Sequence, residues 1–188
     1  MLIHTEETPN NHALKFILGK PILDSNQTID FTNKEAAYKS PLALSLFDVE
    51  GVKRVFFGHN FIVVTKDKKV SWYGLKSALS AIIMDFLLMK RPLLDKTSKV
   101  NVIEMEVAPE DQAVVEQIKW ILDTEIRPSV AKDGGDIIFY GYKDGCVYLR
   151  MQGSCQGCPS SAITLKHGVE VILQRHLSEV ITVEQVRI

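Results

Sequence analysis

The sequence predicts an α/β chain of the α+β type, made of two small mixed domains, each a small sheet packed with two or three helices. Three observations carry that prediction. Short β-rich runs alternate with stretches of helical apolar spacing in both halves of the 188 residues. Each half holds a hairpin signal, two β-rich runs split by a glycine-containing turn. Between the halves the pattern loosens, with the polar, non-periodic Asp95-Lys96-Thr97-Ser98-Lys99 at its centre. The expected division is a first domain over residues 1–92, a linker over 93–110 and a second domain over 111–188.

In the first domain, residues 14–18 read as a strand, closed by the turn-rich Gly19-Lys20-Pro21. Ser40-Pro41 is a helix start, a capping hydroxyl followed by proline where the missing N–H costs nothing. Residues 42–47 fit the short helix that it opens. Residues 52–57 and 61–65 form a hairpin around Gly58-His59-Asn60. From about Trp72 to Met89, apolar residues at 75, 79, 82, 83 and 86 follow helical spacing, and Arg91-Pro92 ends the run. A short extended piece is expected over 100–107.

Pro109-Glu110-Asp111 suits the N-terminus of the next helix, because acids there complement the helix dipole. Val114, Val115, Ile118, Ile121, Leu122 and Ile126 mark its apolar face, and Arg127-Pro128 is the expected end. Asp133-Gly134-Gly135-Asp136 is a strong turn, and turn geometry before a strand accounts for it. Strands are expected over 137–142 and 146–151, joined by Lys143-Asp144-Gly145. A helix from Pro159 to about Leu177 and a last strand over 180–186 complete the chain. Gly153-Ser154-Cys155-Gln156-Gly157-Cys158-Pro159 thus lies on a loop between a strand and a helix.

Bulk properties exclude several classes. Hydrophobic residues make up 46% and charged residues 24%, a globular balance. With 22 basic and 23 acidic side chains, there is no electrostatic footprint for nucleic acid or a membrane surface. The most apolar stretch, residues 78–89, is shorter than the roughly 20 residues that a bilayer needs, and Asp85 interrupts it. No signal or transit pattern is evident at the N-terminus, so the expected location is cytoplasmic in a bacterium, or the mitochondrial matrix if a presequence has been removed. No nucleophile elbow, P-loop or dinucleotide fingerprint occurs, and the chain is not expected to be an enzyme.

The chemistry lies in the cysteines. Three are present, an odd number and too few for a disulfide scaffold, and two form Cys155-Gln156-Gly157-Cys158. A tight turn aims two such sulfurs at one point, and Gly153 and Gly157 let the backbone approach an inorganic body closely. Pro159 opens the helix, so its positive end is expected to favour thiolate over thiol and to stabilise a negatively charged cluster. Thiolate-held clusters and structural zinc sites generally need four protein ligands, and this loop supplies two. His167 and His176, nine residues apart, fall on opposite sides of a helix with about 3.6 residues per turn, which favours surface roles for both. Cys146 opens a strand and reads as a small buried hydrophobe. The simplest completion is symmetric: two copies bring four thiolates together. Separating the copies leaves each with half a ligand set, which fits a carrier of clusters better than a carrier of electrons.

These residues resemble the NifU-like, or Nfu, iron–sulfur cluster proteins. Residues 112–188 are similar to the family's C-terminal domain through Arg127-Pro128, Asp133-Gly134-Gly135-Asp136, Val147-Tyr148-Leu149 and the segment from Gly153 to Ser161. Residues 1–90 resemble its N-terminal domain through Thr5-Glu6, Thr8-Pro9-Asn10, Leu14-Lys15-Phe16, Ser40-Pro41-Leu42 and Val55-Phe56-Phe57-Gly58; Asn11 stands where a second proline is common. The resemblance implies a 4Fe–4S cluster ligated by Cys155 and Cys158 and bridging a homodimer. It also implies receipt from upstream cluster assembly proteins and delivery to recipient apo-iron–sulfur enzymes, with the N-terminal domain recognising partners.

Two rivals belong to other classes. A thioredoxin-like thiol–disulfide oxidoreductase also places CxxC between strand and helix. Against it, only about 30 residues follow the motif, and no proline occurs after Pro159 to serve as the cis-proline of that fold. The other rival is an interaction module with a structural zinc bridging two chains, since zinc competes well for thiolates.

Overall fold

The computed structural model describes residues 3–94, 105–156 and 159–186, with the backbone alone for 159–162. It divides into two compact units, Met1–Val100 and Asn101–Ile188. Both are mixed α/β, each with its own sheet and helices on it.

The first unit contains β1 (His4–Glu7), β2 (Ala13–Ile17), β3 (Ile29–Phe31), α1 (Pro41–Phe47), β4 (Val52–Phe57), β5 (Phe61–Lys66) and α2 (Leu75–Leu88). Its sheet runs β1-β2-β5-β4-β3, antiparallel throughout. Alternation along β2, β4 and β5 sends Leu14, Phe16, Val55, Phe57, Ile62 and Val64 into one buried cluster with residues of both helices. Ser40 caps α1 as expected: its hydroxyl oxygen accepts a hydrogen bond from the Ala43 amide at 3.2 Å.

Three details differ from the sequence reading. The helix expected from Trp72 begins at Leu75, because Gly74 sits at φ 79°, outside helical geometry. Trp72 instead donates its indole N–H to the Asn11 carbonyl at 3.2 Å and lies under the Lys66 ammonium. Two strands carried no readable pattern. β1 is an edge strand exposed at nearly every position, and β3 spans three residues. An Arg54–Asp30 ion pair, with Nε to Oδ1 at 2.7 Å, ties β3 to β4.

The second unit contains α3 (Gln112–Ile121), α4 (Arg127–Lys132), β6 (Gly135–Lys143), β7 (Cys146–Gly153), α5 (Pro159–His176) and β8 (Thr182–Gln185). β6 and β7 form an antiparallel hairpin through Asp144 and Gly145, both at positive φ, as a tight hairpin turn requires. β8 runs parallel to β7, so α5 is the crossover between them. Its bounds are narrower than the expected strand over 180–186.

The helix expected to stop at Arg127-Pro128 continues through the proline to Lys132. A π-helical turn, Leu122–Ile126, precedes α4 and widens the backbone where the proline ring would meet the carbonyl four residues back. Leu122, Ile126 and Val130 thereby stay on the buried side. Of the extended piece expected over 100–107, residues 100–104 lie outside the described residues, as do 95–99 of the linker. Met105 donates its amide to the Tyr140 carbonyl at 2.7 Å, beside a register shift in β6. No described helix is long and apolar enough to cross a membrane.

Candidate metal centre

β7 ends at Gly153, which pairs in register with Gly135 at the start of β6 and turns the chain at φ 64°. The loop that follows is fastened to the turn before β6. The Ser154 amide donates to the Gly134 carbonyl at 3.1 Å, and the Ser154 hydroxyl donates to the Asp133 carbonyl at 2.6 Å. Gln156 closes the turn with its amide on the Gly153 carbonyl at 3.2 Å. Cys155 is held between these bonds. Gly157 and Cys158 lie outside the described residues, and α5 begins at Pro159.

Asp133-Gly134-Gly135-Asp136 therefore does more than turn the chain. Asp133 supplies the acceptor for Ser154. Gly134, at φ 80°, adopts a backbone that favours glycine. Gly135 makes room: a Cβ there would collide with Cys155 Sγ and lie 3.0 Å from the Gln152 carbonyl oxygen. Asp136, 3% exposed, accepts a two-pronged pair from Arg127, Nε to Oδ1 at 2.8 Å and Nη2 to Oδ2 at 2.9 Å. Asp136 Oδ1 also accepts from the Ile137 amide at 2.8 Å, and Arg127 reaches Asp123 at 2.8 Å. The helix preceding the turn is thus locked to the strand that backs the cysteine loop. The sequence reading missed these roles. The signal available was a doubled glycine about 20 residues before the first loop cysteine, at a position that the hairpin register sets opposite Gly153.

Cys155 is 8% exposed and packs with the unit's apolar cluster. The helix-end expectation centred on Cys158, which lies outside the described residues; for Cys155 the dominant influence is burial. Burial pushes its thiol up to about 11; the Ser154 side chain offsets part of this, and Asp133 and Asp136 add to it. Desolvation is the largest of these causes because the sulfur packs with the core. Cys155 offers one soft sulfur of the kind the implied donor set uses, and in the described geometry that sulfur packs with the core.

The remaining candidates are dispersed. Cys146 stands at the opposite end of β7, seven residues and roughly 23 Å from Gly153 at about 3.3 Å per residue. It is half-buried, not buried as expected, and faces away from the core that Val147 and Leu149 enter. His176 pairs with Glu125 at 3.1 Å, and His167 is exposed on α5, in keeping with the surface roles expected of both. Among the described residues, no group of three or more His, Cys, Asp or Glu is placed to hold a metal ion.

Comparison with known proteins gives two family matches. The family described as "Scaffold protein Nfu/NifU N terminal" covers residues 3–90, and the "NifU-like domain" covers 118–184. Among curated relatives, "NFU1 iron-sulfur cluster scaffold homolog, mitochondrial" of Homo sapiens is 50% identical over 187 residues, covering 99% of this chain and 72% of its own length. The protein of the same name from Drosophila sechellia is 48% identical over 186 residues, and the chain spans 65% of it. The chain therefore spans about two thirds of the length of these relatives. A solution structure of the NifU-like protein from Saccharomyces cerevisiae is 25% identical, covers 51% of this chain and 86% of its own, and aligns with a TM-score of 0.47. The description of the first family and the relatives' names are those of scaffolds, in line with the expectation that the chain is not an enzyme. Matched in both units and half identical to a named member along nearly its whole length, the chain belongs to the Nfu/NifU scaffold protein family.

Proposed function

We propose that the chain is an iron–sulfur cluster scaffold that carries a 4Fe–4S cluster as cargo between two copies, each contributing Cys155 and Cys158. In this reading it receives the cluster from upstream assembly proteins and releases it to apo-iron–sulfur enzymes. One observation carries the shared site. The third cysteine lies at the far end of β7, so one chain brings two of its thiols near this loop, half of the usual set of four. Separation of the copies would then expose the cargo for transfer. The site belongs to the segment proposed as the second domain, 111–188, joined through 93–110 to a first domain, 1–92, that serves partner recognition. The relatives' names say mitochondrial, which supports the mitochondrial alternative for location over the bacterial cytoplasm.

Anaerobic reconstitution with iron and sulfide tests the proposal, read by iron and sulfide counts, Mössbauer spectra and molecular mass. Wild type and Cys146→Ala are expected to load as dimers, whereas Cys155→Ala and Cys158→Ala lose both cluster and cluster-linked dimer. Loaded protein should also restore activity to an apo-iron–sulfur enzyme. A normal cluster in either loop variant refutes the ligand assignment. Disulfide reductase activity without iron uptake would instead favour the thioredoxin-like alternative, and a metal that never transfers would favour structural zinc.

A further inference from the structure

We infer that Cys155 is kept as a sequestered ligand: its sulfur rests in a seat beside Gly135, turns outward to bind a cargo, and returns when the cargo leaves. This rests on the reading of Cys155 as a cluster ligand and concerns how that site is controlled. Cys155 is 8% exposed and belongs to the apolar cluster of Ile137, Leu149 and Met151. The seat exists because Gly135 lacks a side chain. A Cβ there would overlap Cys155 Sγ and stand 3.2 Å from Cys155 Cβ. Gly135 has no positive φ, so its backbone could carry alanine; what lies beside it, the sulfur and the Gln152 carbonyl, is what requires glycine.

The loop is fastened on either side of Cys155. Ser154 bonds the Gly134 and Asp133 carbonyls, and the Gln156 amide bonds the Gly153 carbonyl. Rotation of Cys155 about Cα–Cβ to another staggered position leaves all three of these bonds in place.

An iron–sulfur body handed between proteins lies outside the core of either, so a sulfur packed inside must move to reach it. A free cysteine behaves as a small hydrophobe, and burial favours the inward state when no cargo is present. Only the outward fraction is competent to bind, which lowers the apparent affinity by that fraction. For a carrier this assists release, because the seat recaptures the sulfur as the cargo leaves. Loading exchanges the S–H bond for an S–Fe bond, with the proton passing to solvent, and release reverses both without an oxidant or reductant.

Alkylation of the unloaded full chain by iodoacetamide, read by site-resolved mass spectrometry along a urea series, tests this. Cys155 is expected to react about a hundredfold more slowly than in the unfolded chain, at a rate that stays flat in low urea, because a side-chain turn exposes little surface. A rate matching the unfolded chain's, or one climbing with urea from the outset as global unfolding does, overturns the inference. In Gly135→Ala the added methyl fills the seat. Cys155 should then react about tenfold faster, with half-buried Cys146 unchanged as the internal reference, and the loaded variant should lose its cluster to an iron chelator about tenfold more slowly. A folded variant that matches wild type in either measurement overturns the seat; if the variant does not fold, the wild-type urea series decides alone. Contrary alkylation results beside a normal cluster overturn this inference only, whereas Cys155→Ala that loads normally overturns the ligand reading and this inference with it.

Discussion

Replacing Gly135 by alanine adds one methyl group at the tightest point behind the cysteine loop. The new Cβ would lie 3.0 Å from the Gln152 carbonyl oxygen and 3.2 Å from Cys155 Cβ, and would overlap Cys155 Sγ. Unstrained contacts between heavy atoms fall at about 3.5–4.0 Å, so every neighbour must give way. Overpacking of this kind costs about 1–3 kcal/mol, and for a unit of this size each kcal/mol lowers Tm by roughly 4–8 °C. Gly135 has no positive φ, so the effect is steric rather than conformational. A double-mutant cycle isolates the sulfur. In a Cys155→Ala background the worst overlap is absent, and the cost of Gly135→Ala should fall, leaving a coupling of about 1–2 kcal/mol. Urea unfolding of the unloaded protein measures it. Independent sites add to within about 0.3–0.5 kcal/mol, so a coupling inside that range would falsify the packing of Cys155 on Gly135 described above.

Two further outcomes follow from the site's surroundings. Arg127→Ala leaves the buried Asp136 carboxylate without its two-pronged partner, and loss of such a partner costs about 3–5 kcal/mol in thermal or urea unfolding. Arg127→Lys should restore only part of it, because an ammonium cannot reproduce the fork. Full rescue by lysine would show that charge alone matters. Glu170 is held below the ordinary carboxylate range chiefly by the Val183 amide, with help from the Thr182 hydroxyl. Its folded pKa is depressed, so its contribution is complete above the unfolded value near 4.5 and disappears as pH falls through the folded value. The Tm difference between wild type and Glu170→Gln should therefore be constant near neutrality and shrink below about pH 4.5; a difference that grows with acid would contradict the sign.

The cysteine loop, both hairpins and the Ser40 cap were legible in the sequence because each is a local signal. Alternation, a turn glycine or a capping hydroxyl acts within a few residues. β1 and β3 were not legible, since an exposed edge strand and a three-residue strand leave no pattern. The π-helical turn was hidden for a different reason. Pro128 read as a stop, and only the burial of Leu122, Ile126 and Val130 on one side makes a widened turn preferable to an ended helix.

What the sequence by itself determined is the candidate donor pair: two thiols with two residues between them, just ahead of a helix, which we propose as half of a cluster's ligand set. Tertiary structure alone decided how the first of them is held. Gly135 and Cys155 are 20 residues apart in the chain and touch because the β6–β7 hairpin sets Gly135 opposite Gly153. Burial at that contact pushes the Cys155 thiol up, because removing a sulfur from water disfavours its charged form.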